Sequence, residues 1–312
     1  MHVLGIDAGG TKTVAYLADE DGAVLAEARG AGANLQVAGE QGAETVLRAV
    51  MEQALAGAAV RPDAICLGMA GADRETDGRV VRGILRRIGG ETRTLVVNDA
   101  LLALVAGVHD APGIVIICGT GSIAYGRSGR GVAARSGGWG HLLGDEGSGY
   151  WIGLRALRAV VRAADGRGPA TGLTRRLQAH FGAQRPSDVS PAFYERKLAP
   201  PAVGALSHHV EAERAAGDAV AAQILEEAVG ELLAAASSVT TRLGMSEEPF
   251  AFILAGGVFA GVPWLGDQLS RRLPRIAPRS TVSRLSVEPA LGAVRLALAE
   301  ARGGAQVPPY LE

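Results

Sequence analysis

The sequence of 312 residues contains few aromatic residues and only two cysteines. Aromatics make up 4% of the chain and apolar residues 48%, so the core must be built mainly from Ala, Val and Leu. Cys66 and Cys118 lie inside apolar runs, and their spacing does not match a zinc or iron–sulfur site. We interpret them as buried free thiols of a reducing cytoplasm; a disulfide between them is the alternative.

Long apolar runs and an excess of one charge are also missing. The chain has 31 basic and 32 acidic residues, with neither a basic stretch typical of nucleic-acid binding nor an acidic tail. No segment approaches a transmembrane span, and Met1-His2 runs directly into a predicted strand, so we expect no signal peptide. We therefore predict a cytoplasmic protein without nucleic-acid or membrane partners, and the length suggests two domains.

A glycine-rich turn near the start of the chain is the first candidate site. The apolar residues 3–6 precede Asp7, and residues 13–17 resume the pattern of a strand, so Gly9-Gly10 is predicted to lie in a hairpin. Adjacent glycines let a ligand approach main-chain N–H groups, which suits phosphate oxygens. Asp7, at the end of the strand, could hold hydrated Mg²⁺. The alternative is a tight hairpin with a surface Asp, and the spacing matches neither a Walker loop nor a Rossmann fingerprint.

The pattern of predicted elements occurs twice. Three strands, a helix over Gln41–Ala58 and alternating strands and helices predict a mixed sheet covered by helices, with Asp73 capping the helix that runs to Ile88. A second strand, Gly113–Cys118, then enters a second glycine turn over residues 119–122. Two equivalent domains would place two phosphate-binding turns across one cleft; a chance recurrence of two hairpins is the alternative.

The second half of the chain carries an unusual loop and a helical segment. Residues 137–151 combine six glycines with two acids, a His and two Trp residues, which indicates a backbone specified for a ligand. About residues 171–216 are predicted to be a helical insertion. A short strand is predicted at Arg284–Val287, followed by a last helix to about Ala301.

Five short motifs span nearly the whole chain in a fixed order: Asp7-Ala8-Gly9-Gly10-Thr11, Val97-Asn98-Asp99-Ala100, Gly119-Thr120-Gly121-Ser122, Leu254-Ala255-Gly256-Gly257-Val258 and Ala290-Leu291-Gly292-Ala293. Together they resemble the sugar-kinase, actin and Hsp70 ATPase superfamily. There they form the first phosphate turn, first connecting helix, second phosphate turn, adenosine loop and second connecting helix. The segment from Gly138 to Ser148 is similar to the N-acetylglucosamine kinase branch, which is grouped with the BadF/BadG/BcrA/BcrD ATPases.

The resemblance implies an α/β fold of two ribonuclease-H-like domains, the actin-like ATPase fold, around an inter-domain cleft. We expect a first domain at residues 1–109, a second at 110–288 that contains the helical insertion, and a C-terminal helix in 289–312 that packs back on the first domain. The implied activity is ATP- and Mg²⁺-dependent phosphorylation of N-acetyl-D-glucosamine at the 6-hydroxyl by a homodimer. Glucosamine or N-acetylmuramic acid as substrate, an ATPase that drives a partner protein, and a non-catalytic sugar sensor are the alternatives.

The resemblance also assigns roles on the sugar side. Asp99 matches the catalytic aspartate, which accepts the proton of the sugar hydroxyl; its alternative role is the N-cap of the helix at Ala100–Val108. Asn34, Asp145 and the backbone of Gly138-Trp139 are the further sugar-binding candidates. For Asn34 the alternative is a turn residue in the left-handed conformation, and for Asp145 it is a cap of a helix that starts near Glu146. Leu35-Gln36 follow Asn34 where a relative carries a bulky aromatic, so acetamido selectivity is open.

On the nucleotide side, the candidates are the residues of the two phosphate turns and the adenosine loop: Gly9, Gly10, Thr11, Lys12, Thr13, Gly119, Thr120, Gly121, Ser122, Gly256 and Gly257. Lys12 is predicted either to reach a terminal phosphate or to be a solvated hairpin residue. For Gly256 and Gly257 the alternative is a strand-to-helix turn. The cysteine-rich zinc motif of the ROK sugar kinases is missing, and neither cysteine lies in a glycine-flanked loop like those that hold the iron–sulfur cluster of the dehydratase activators.

Overall fold

The computed structural model describes residues 1–58, 60–72, 74–195 and 198–311, so the predicted cap Asp73 lies outside the described residues. Within these ranges the strands are β1 (His2–Ala8), β2 (Lys12–Asp19), β3 (Val24–Ala31), β4 (Ala64–Met69), β5 (Arg93–Val97), β6 (Gly113–Cys118), β7 (Ser122–Arg127), β8 (Ala133–Gly137), β9 (Ala251–Ala255) and β10 (Thr281–Arg284). The helices are α1 (Leu35–Leu55), α2 (Glu75–Gly89), α3 (Asp99–Val108), α4 (Gly149–Ala164), α5 (Leu173–Phe181), α6 (Val189–Glu195), α7 (Pro200–Ala205), α8 (Ser207–Ala215), α9 (Ala219–Leu243), α10 (Val258–Gly261), α11 (Pro263–Arg272) and α12 (Ala290–Ala301).

The first sheet has the strand order β3-β2-β1-β4-β5. Strands β1, β2 and β3 form an antiparallel meander, and β4 and β5 add to it in parallel. In the first hairpin Ala8 pairs with Thr13, so Gly9 and Gly10 lie in the connecting turn, as predicted. Asp7 is the penultimate residue of β1, the central strand, and therefore lies beside this turn.

Helices pack on the first sheet and fix the position of Asp99. Helix α12 contacts β1 and α3, and α1 contacts β2 and β3. A Cβ atom at Gly292 would lie 2.0 Å from the carbonyl oxygen of Leu102, so only glycine allows α12 to approach α3 this closely. The Arg295 guanidinium donates to the carbonyl oxygens of Val105 and Ala106, two of the acceptors at the end of α3.

The second sheet has the strand order β10-β9-β6-β7-β8. Strands β6 and β7 are neighbours joined by the second glycine turn, in which the Gly119 amide donates to the Gly121 carbonyl oxygen over 2.9 Å. The strand predicted at Arg284–Val287 is wrong in position, since β10 covers Thr281–Arg284 and its first amide donates to the Phe250 carbonyl oxygen. Residues 285–287 make no ladder and lie close before α12.

The chain divides into two compact units. One comprises residues 1–115, 125–134 and 284–312, and the other comprises residues 116–124 and 135–283. Helices α5 to α8 form the helical insertion that was predicted for about residues 171–216, apart from residues 196 and 197, which are not described. Helix α1 begins at Leu35, six residues before the predicted start. Gly39 interrupts the helix with a φ of 67°, and the prediction placed the helix only after this interruption.

Both cysteines are free and completely buried, as predicted. Burial raises the pKa of the Cys66 and Cys118 thiols, so both stay protonated and unreactive. In the part of the chain that the structure describes, the helices are too short or too polar to cross a membrane.

Candidate functional site

The first glycine turn is short and open to solvent. The Gly9 amide donates to the Lys12 carbonyl oxygen over 3.0 Å, which closes the turn, and Gly10 and Thr11 are exposed. Thr13 differs from Thr11, because it is fully buried and its hydroxyl donates to the Ala31 carbonyl oxygen over 2.7 Å. The hydroxyl of Thr11 is therefore available to a ligand at this turn, whereas that of Thr13 is used inside the sheet.

Asp7 and Asp99 form an acidic pair beside this turn. The pKa of Asp7 is raised to about 7, mainly by burial and then by the negative charges of Asp99 and Glu288, while the Lys12 ammonium opposes the rise. The charge of Asp99 therefore acts on a poorly solvated Asp7 carboxyl near the end of β1. A carboxyl pair of this kind can attract a cation or hold a proton.

Asp99 is the first residue of α3 and does not cap it. The N-cap is Asn98, whose side-chain oxygen accepts a hydrogen bond from the Ala100 amide over 2.9 Å. The alternative role predicted for Asp99 as the helix cap is therefore wrong by one residue. With Asn98 in the capping role, Asp99 lies in the first turn of α3, at the positive end of the helix dipole.

Lys12 makes an ion pair that the sequence did not suggest. Its ammonium lies 2.9 Å and 2.8 Å from the two carboxylate oxygens of Glu288, just before α12. The Arg29 guanidinium contacts the same carboxylate over 3.3 Å. Hydrogen bonds and charges from Lys12 and Arg29 lower the pKa of Glu288 against an opposing effect of burial, so Glu288 is ionised at neutral pH. Besides the two predicted roles of Lys12, binding a phosphate or remaining solvated, the structure thus shows a third, the ion pair with Glu288.

Asn34 caps α1. Its backbone is extended, with φ −60° and ψ 129°, and its side-chain oxygen accepts a hydrogen bond from the Gln36 amide over 2.9 Å. The alternative prediction of a left-handed turn residue is therefore wrong. The cap occupies the carbonyl oxygen of the side chain, and the amide nitrogen is the group that could still donate to a ligand.

The second glycine turn is fastened to the loop that follows β8. The Ser122 hydroxyl donates to the Glu146 carbonyl oxygen over 2.7 Å, and the Gly149 amide donates to the Gly119 carbonyl oxygen over 2.9 Å. The Tyr150 amide donates to the Thr120 carbonyl oxygen over 3.3 Å. These bonds fasten the turn to the loop.

Asp145 is the centre of this connection. It is buried, with a φ of 58°, and its carboxylate accepts hydrogen bonds from the backbone amides of Ser122 and Gly140. Burial raises the pKa of Asp145, and these two hydrogen bonds oppose the rise. The alternative that Asp145 caps a helix is wrong, because α4 begins at Gly149 and its cap is Ser148.

Gly138 and Trp139 lie at the start of the same loop. The Gly138 amide donates to the Ser122 carbonyl oxygen over 2.9 Å. The Trp139 side chain is 57% exposed, and the Arg135 guanidinium lies 4.7 Å from the centre of its ring. An exposed aromatic ring beside a rigid polar loop is a typical wall for a sugar ring.

Gly256 and Gly257 differ from each other. Gly256 has a φ of 109°, and a Cβ atom there would lie 2.2 Å from the Cys118 carbonyl oxygen. Gly257 precedes α10, and a Cβ atom there would meet nothing within 4 Å. The packing of β9 against β6 therefore requires Gly256, while Gly257 offers open backbone at the end of the strand.

The structure thus assembles the predicted residues into two groups, one in each unit. Asp7, the first turn and Asp99 belong to the first group, together with Glu288, which sequence reasoning missed. The second turn, Gly138-Trp139, Asp145 and the glycines after β9 belong to the second group. Glu288 was missed because it is 276 residues from Lys12 in sequence, although it lies two residues before the motif that begins at Ala290.

The chain forms two five-stranded sheets covered by helices, and in each sheet a glycine turn follows a buried strand. This is the fold of the sugar kinases and actin-like ATPases. A solved N-acetylglucosamine kinase candidate from Chromobacterium violaceum shares this fold with a TM-score of 0.76 and 29% identity, covering 95% of this chain and 98% of that one. The sequence model of the BadF/BadG/BcrA/BcrD ATPase family matches residues 4–297, and the chain belongs to this family.

Two relatives are similar over almost their whole length. The N-acetylmuramic acid/N-acetylglucosamine kinase of Clostridium acetobutylicum is 34% identical over 302 residues, which is 96% of this chain and 99% of the relative. The N-acetyl-D-glucosamine kinase of Dictyostelium discoideum is 36% identical over 309 residues, or 95% of this chain and 97% of the relative.

Proposed function

We propose that this protein is an ATP-dependent amino-sugar kinase that converts N-acetyl-D-glucosamine and ATP into N-acetylglucosamine 6-phosphate and ADP. The observation that carries the proposal is the full-length similarity to two relatives named as kinases of acetylated amino sugars. Asp99 also supports it: Asp99 does not cap α3, its charge acts on Asp7, and a kinase needs a carboxylate near the acceptor hydroxyl.

Asp99 is proposed as the general base. It accepts the proton of the sugar 6-hydroxyl as the oxygen bonds to the γ-phosphorus of ATP, while the bond from that phosphorus to the β,γ-bridging oxygen breaks and ADP leaves. Its place at the first turn of α3, fixed through Gly292 and Arg295 of α12, supports this role. Thr11 and Thr120 are proposed to donate hydroxyl hydrogen bonds to the phosphates, and Gly257 to offer backbone to the adenosine.

Mg²⁺ is proposed to be held by Asp7, with Asp99 nearby. Among the described residues, groups of three or more His, Cys, Asp or Glu side chains that could hold a metal are absent. Mg²⁺ needs fewer protein ligands, since it commonly takes one or two carboxylates together with water and substrate phosphate oxygens. The acidic pair fits this requirement, and the ion would neutralise charge on the phosphates. Asp7 must lose its proton to bind the ion.

The sugar is proposed to contact Asn34, Trp139 and the loop that Asp145 fastens. The Asn34 amide nitrogen, the backbone around Gly138 and the ring of Trp139 supply donors and an apolar wall. N-acetylmuramic acid is the second candidate substrate, because the Clostridium acetobutylicum relative is named for both sugars. Homodimer formation, the cytoplasmic location and the domain boundaries at residues 109 and 288 stay predictions.

The test is a coupled assay of ADP release with purified protein, ATP and Mg²⁺. The panel contains N-acetylglucosamine, N-acetylmuramic acid, glucosamine and glucose, with one reaction lacking sugar. Release that requires N-acetylglucosamine, with the phosphate shown at O6 by ³¹P–¹H correlation, supports the proposal. Equal release without sugar would instead support an ATPase that drives a partner, and sugar binding without release would support a sensor.

A further inference from the structure

The ion pair between Lys12 and Glu288 joins the first glycine turn to the short segment before α12. Lys12 is 52% exposed and Glu288 26% exposed, so water screens their attraction. Ion pairs of this kind contribute little to stability and exchange partners readily. A doubly charged terminal phosphate, arriving at the turn, is a stronger partner for the ammonium than one screened carboxylate.

The choice of lysine at position 12 is unusual in this chain. Of its 31 basic residues, only Lys12 and Lys197 are lysines and the remainder are arginines. An arginine would bind Glu288 through two parallel hydrogen bonds in a fixed geometry, whereas an ammonium on a flexible stem binds as a point charge. Lysine therefore suits a cation that must leave one anion for another.

Glu288 keeps a partner when Lys12 leaves. The Arg29 guanidinium contacts Glu288 over 3.3 Å, and Arg29 is itself held by Glu27. Losing Lys12 therefore does not leave the Glu288 carboxylate without a cation. This arrangement lowers the free-energy cost of moving the ammonium to another anion.

We propose that Glu288 sets the affinity of the nucleotide site by competing for Lys12: it holds the ammonium when the site is empty and releases it to a terminal phosphate oxygen of ATP. This inference rests on the proposed function, since it needs ATP at the first turn. Glu288 acts through Lys12 and is a positioning residue.

The first test measures binding of the non-hydrolysable analogue AMPPNP with Mg²⁺ by calorimetry. Glu288→Gln removes the competing charge and should tighten binding by about two- to fivefold, the scale of a half-exposed ion pair. In a Lys12→Met background the same change should have no effect, because the competition no longer exists. Glu75→Gln, which removes a carboxylate from another exposed pair in the same unit, is the charge-matched control and should leave affinity unchanged.

The second test keeps the positive charge and changes only its shape. Lys12→Arg should weaken AMPPNP binding by about two- to fivefold, because the guanidinium binds Glu288 more firmly. Adding Glu288→Gln to Lys12→Arg should restore the affinity. A purely structural role of Lys12 would not produce this rescue.

The outcomes separate the inference from the function on which it rests. Wild-type protein that binds no AMPPNP would refute the proposed function. Wild-type protein that binds AMPPNP, combined with a Glu288→Gln variant of equal or lower affinity, would refute only the competition. An equal gain from Glu288→Gln in the wild-type and Lys12→Met backgrounds would also refute it, since general charge repulsion would then be the cause.

Discussion

The two glycine turns follow similar strands, yet their surroundings differ. At the first turn, Gly10, Thr11 and Lys12 are exposed. Lys12 forms an ion pair with Glu288, and the charge of Asp99 acts on Asp7. At the second turn, Ser122 is buried and bonded to the loop of Asp145 through both its hydroxyl and its amide.

This difference indicates different tasks. Charged groups joined by screened ion pairs can change partners at low cost, so the first turn suits the step in which charges move. Buried hydrogen bonds fix a backbone, because breaking one leaves an unsatisfied polar group that costs about 1–3 kcal/mol. The backbone of the second turn is therefore fixed by its own hydrogen bonds. The predictions below test this contrast, beginning with the largest effect.

The acidic pair at the first turn should carry the chemistry. Asp99→Asn should lower kcat by at least about a hundredfold, the usual contribution of a general base. Calorimetric binding of AMPPNP should change little, because the carboxylate serves the acceptor hydroxyl. The capping bond of Asn98 is untouched, so the thermal unfolding temperature should be retained. Near-normal turnover in this variant would remove Asp99 from the proposed mechanism.

Replacing one glycine by alanine in each turn should show the difference in packing between the two turns. At Gly121 a Cβ atom would lie 2.7 Å from an Asp145 carboxylate oxygen, while at Gly10 it would meet nothing within 4 Å. Gly121→Ala should lower the free energy of unfolding by about 1–3 kcal/mol through overpacking and should also reduce kcat/KM. Gly10→Ala, the matched control, should unfold within about 0.5 kcal/mol of wild type. Equal stability of both variants, measured in urea, would contradict the contrast.

The sequence predicted the strands, the two turns and the helical insertion because these features depend on local patterns. Alternating apolar residues and adjacent glycines specify a hairpin within about 20 residues. The order of motifs then indicated the family, which the comparisons confirmed. What local patterns could not settle was the function of individual polar residues at the ends of helices.

Three residues at helix starts show the limit. The N-cap alternatives for Asp99 and Asp145 are wrong, because the caps are Asn98, one residue earlier, and Ser148, three residues later. Asn34 is the reverse case: its predicted alternative role is a left-handed turn residue, yet it caps α1. Asp145 is instead bonded to Ser122, 23 residues earlier, a contact that depends on how β7 and the loop pack together.

Substitution of Thr11, Thr13 and Thr120 should have different effects, because Thr13 is buried in the sheet and the other two are proposed to bind phosphate. Thr11→Val and Thr120→Val each remove a hydroxyl proposed to bind phosphate, and each should raise KM for ATP about three- to tenfold. Thr13→Val removes a hydroxyl that donates to the Ala31 carbonyl oxygen, so it should cost about 1 kcal/mol of stability and leave KM unchanged. If Thr13→Val raised KM as much as Thr11→Val does, the buried hydroxyl would have to belong to the phosphate site.

The smallest expected effect concerns the proton on Asp7. Its pKa is raised from the ordinary value of 3.8 to about 7 in the folded protein, so the folded state binds the proton more tightly than the unfolded chain does. The resulting stabilisation is complete below about pH 4 and is lost as pH rises toward 7 and above. Asp7→Asn stays neutral, so the unfolding temperature of the ligand-free variant relative to wild type should rise between pH 5 and 8, by roughly 2–4 °C.

Asp188→Asn is the control: the pKa of Asp188 is lowered, so it remains ionised throughout this range and the difference from wild type should stay flat. A flat difference for Asp7→Asn as well would mean that Asp7 is already ionised before Mg²⁺ arrives, and that the charge of the first turn is fixed like the hydrogen bonds of the second.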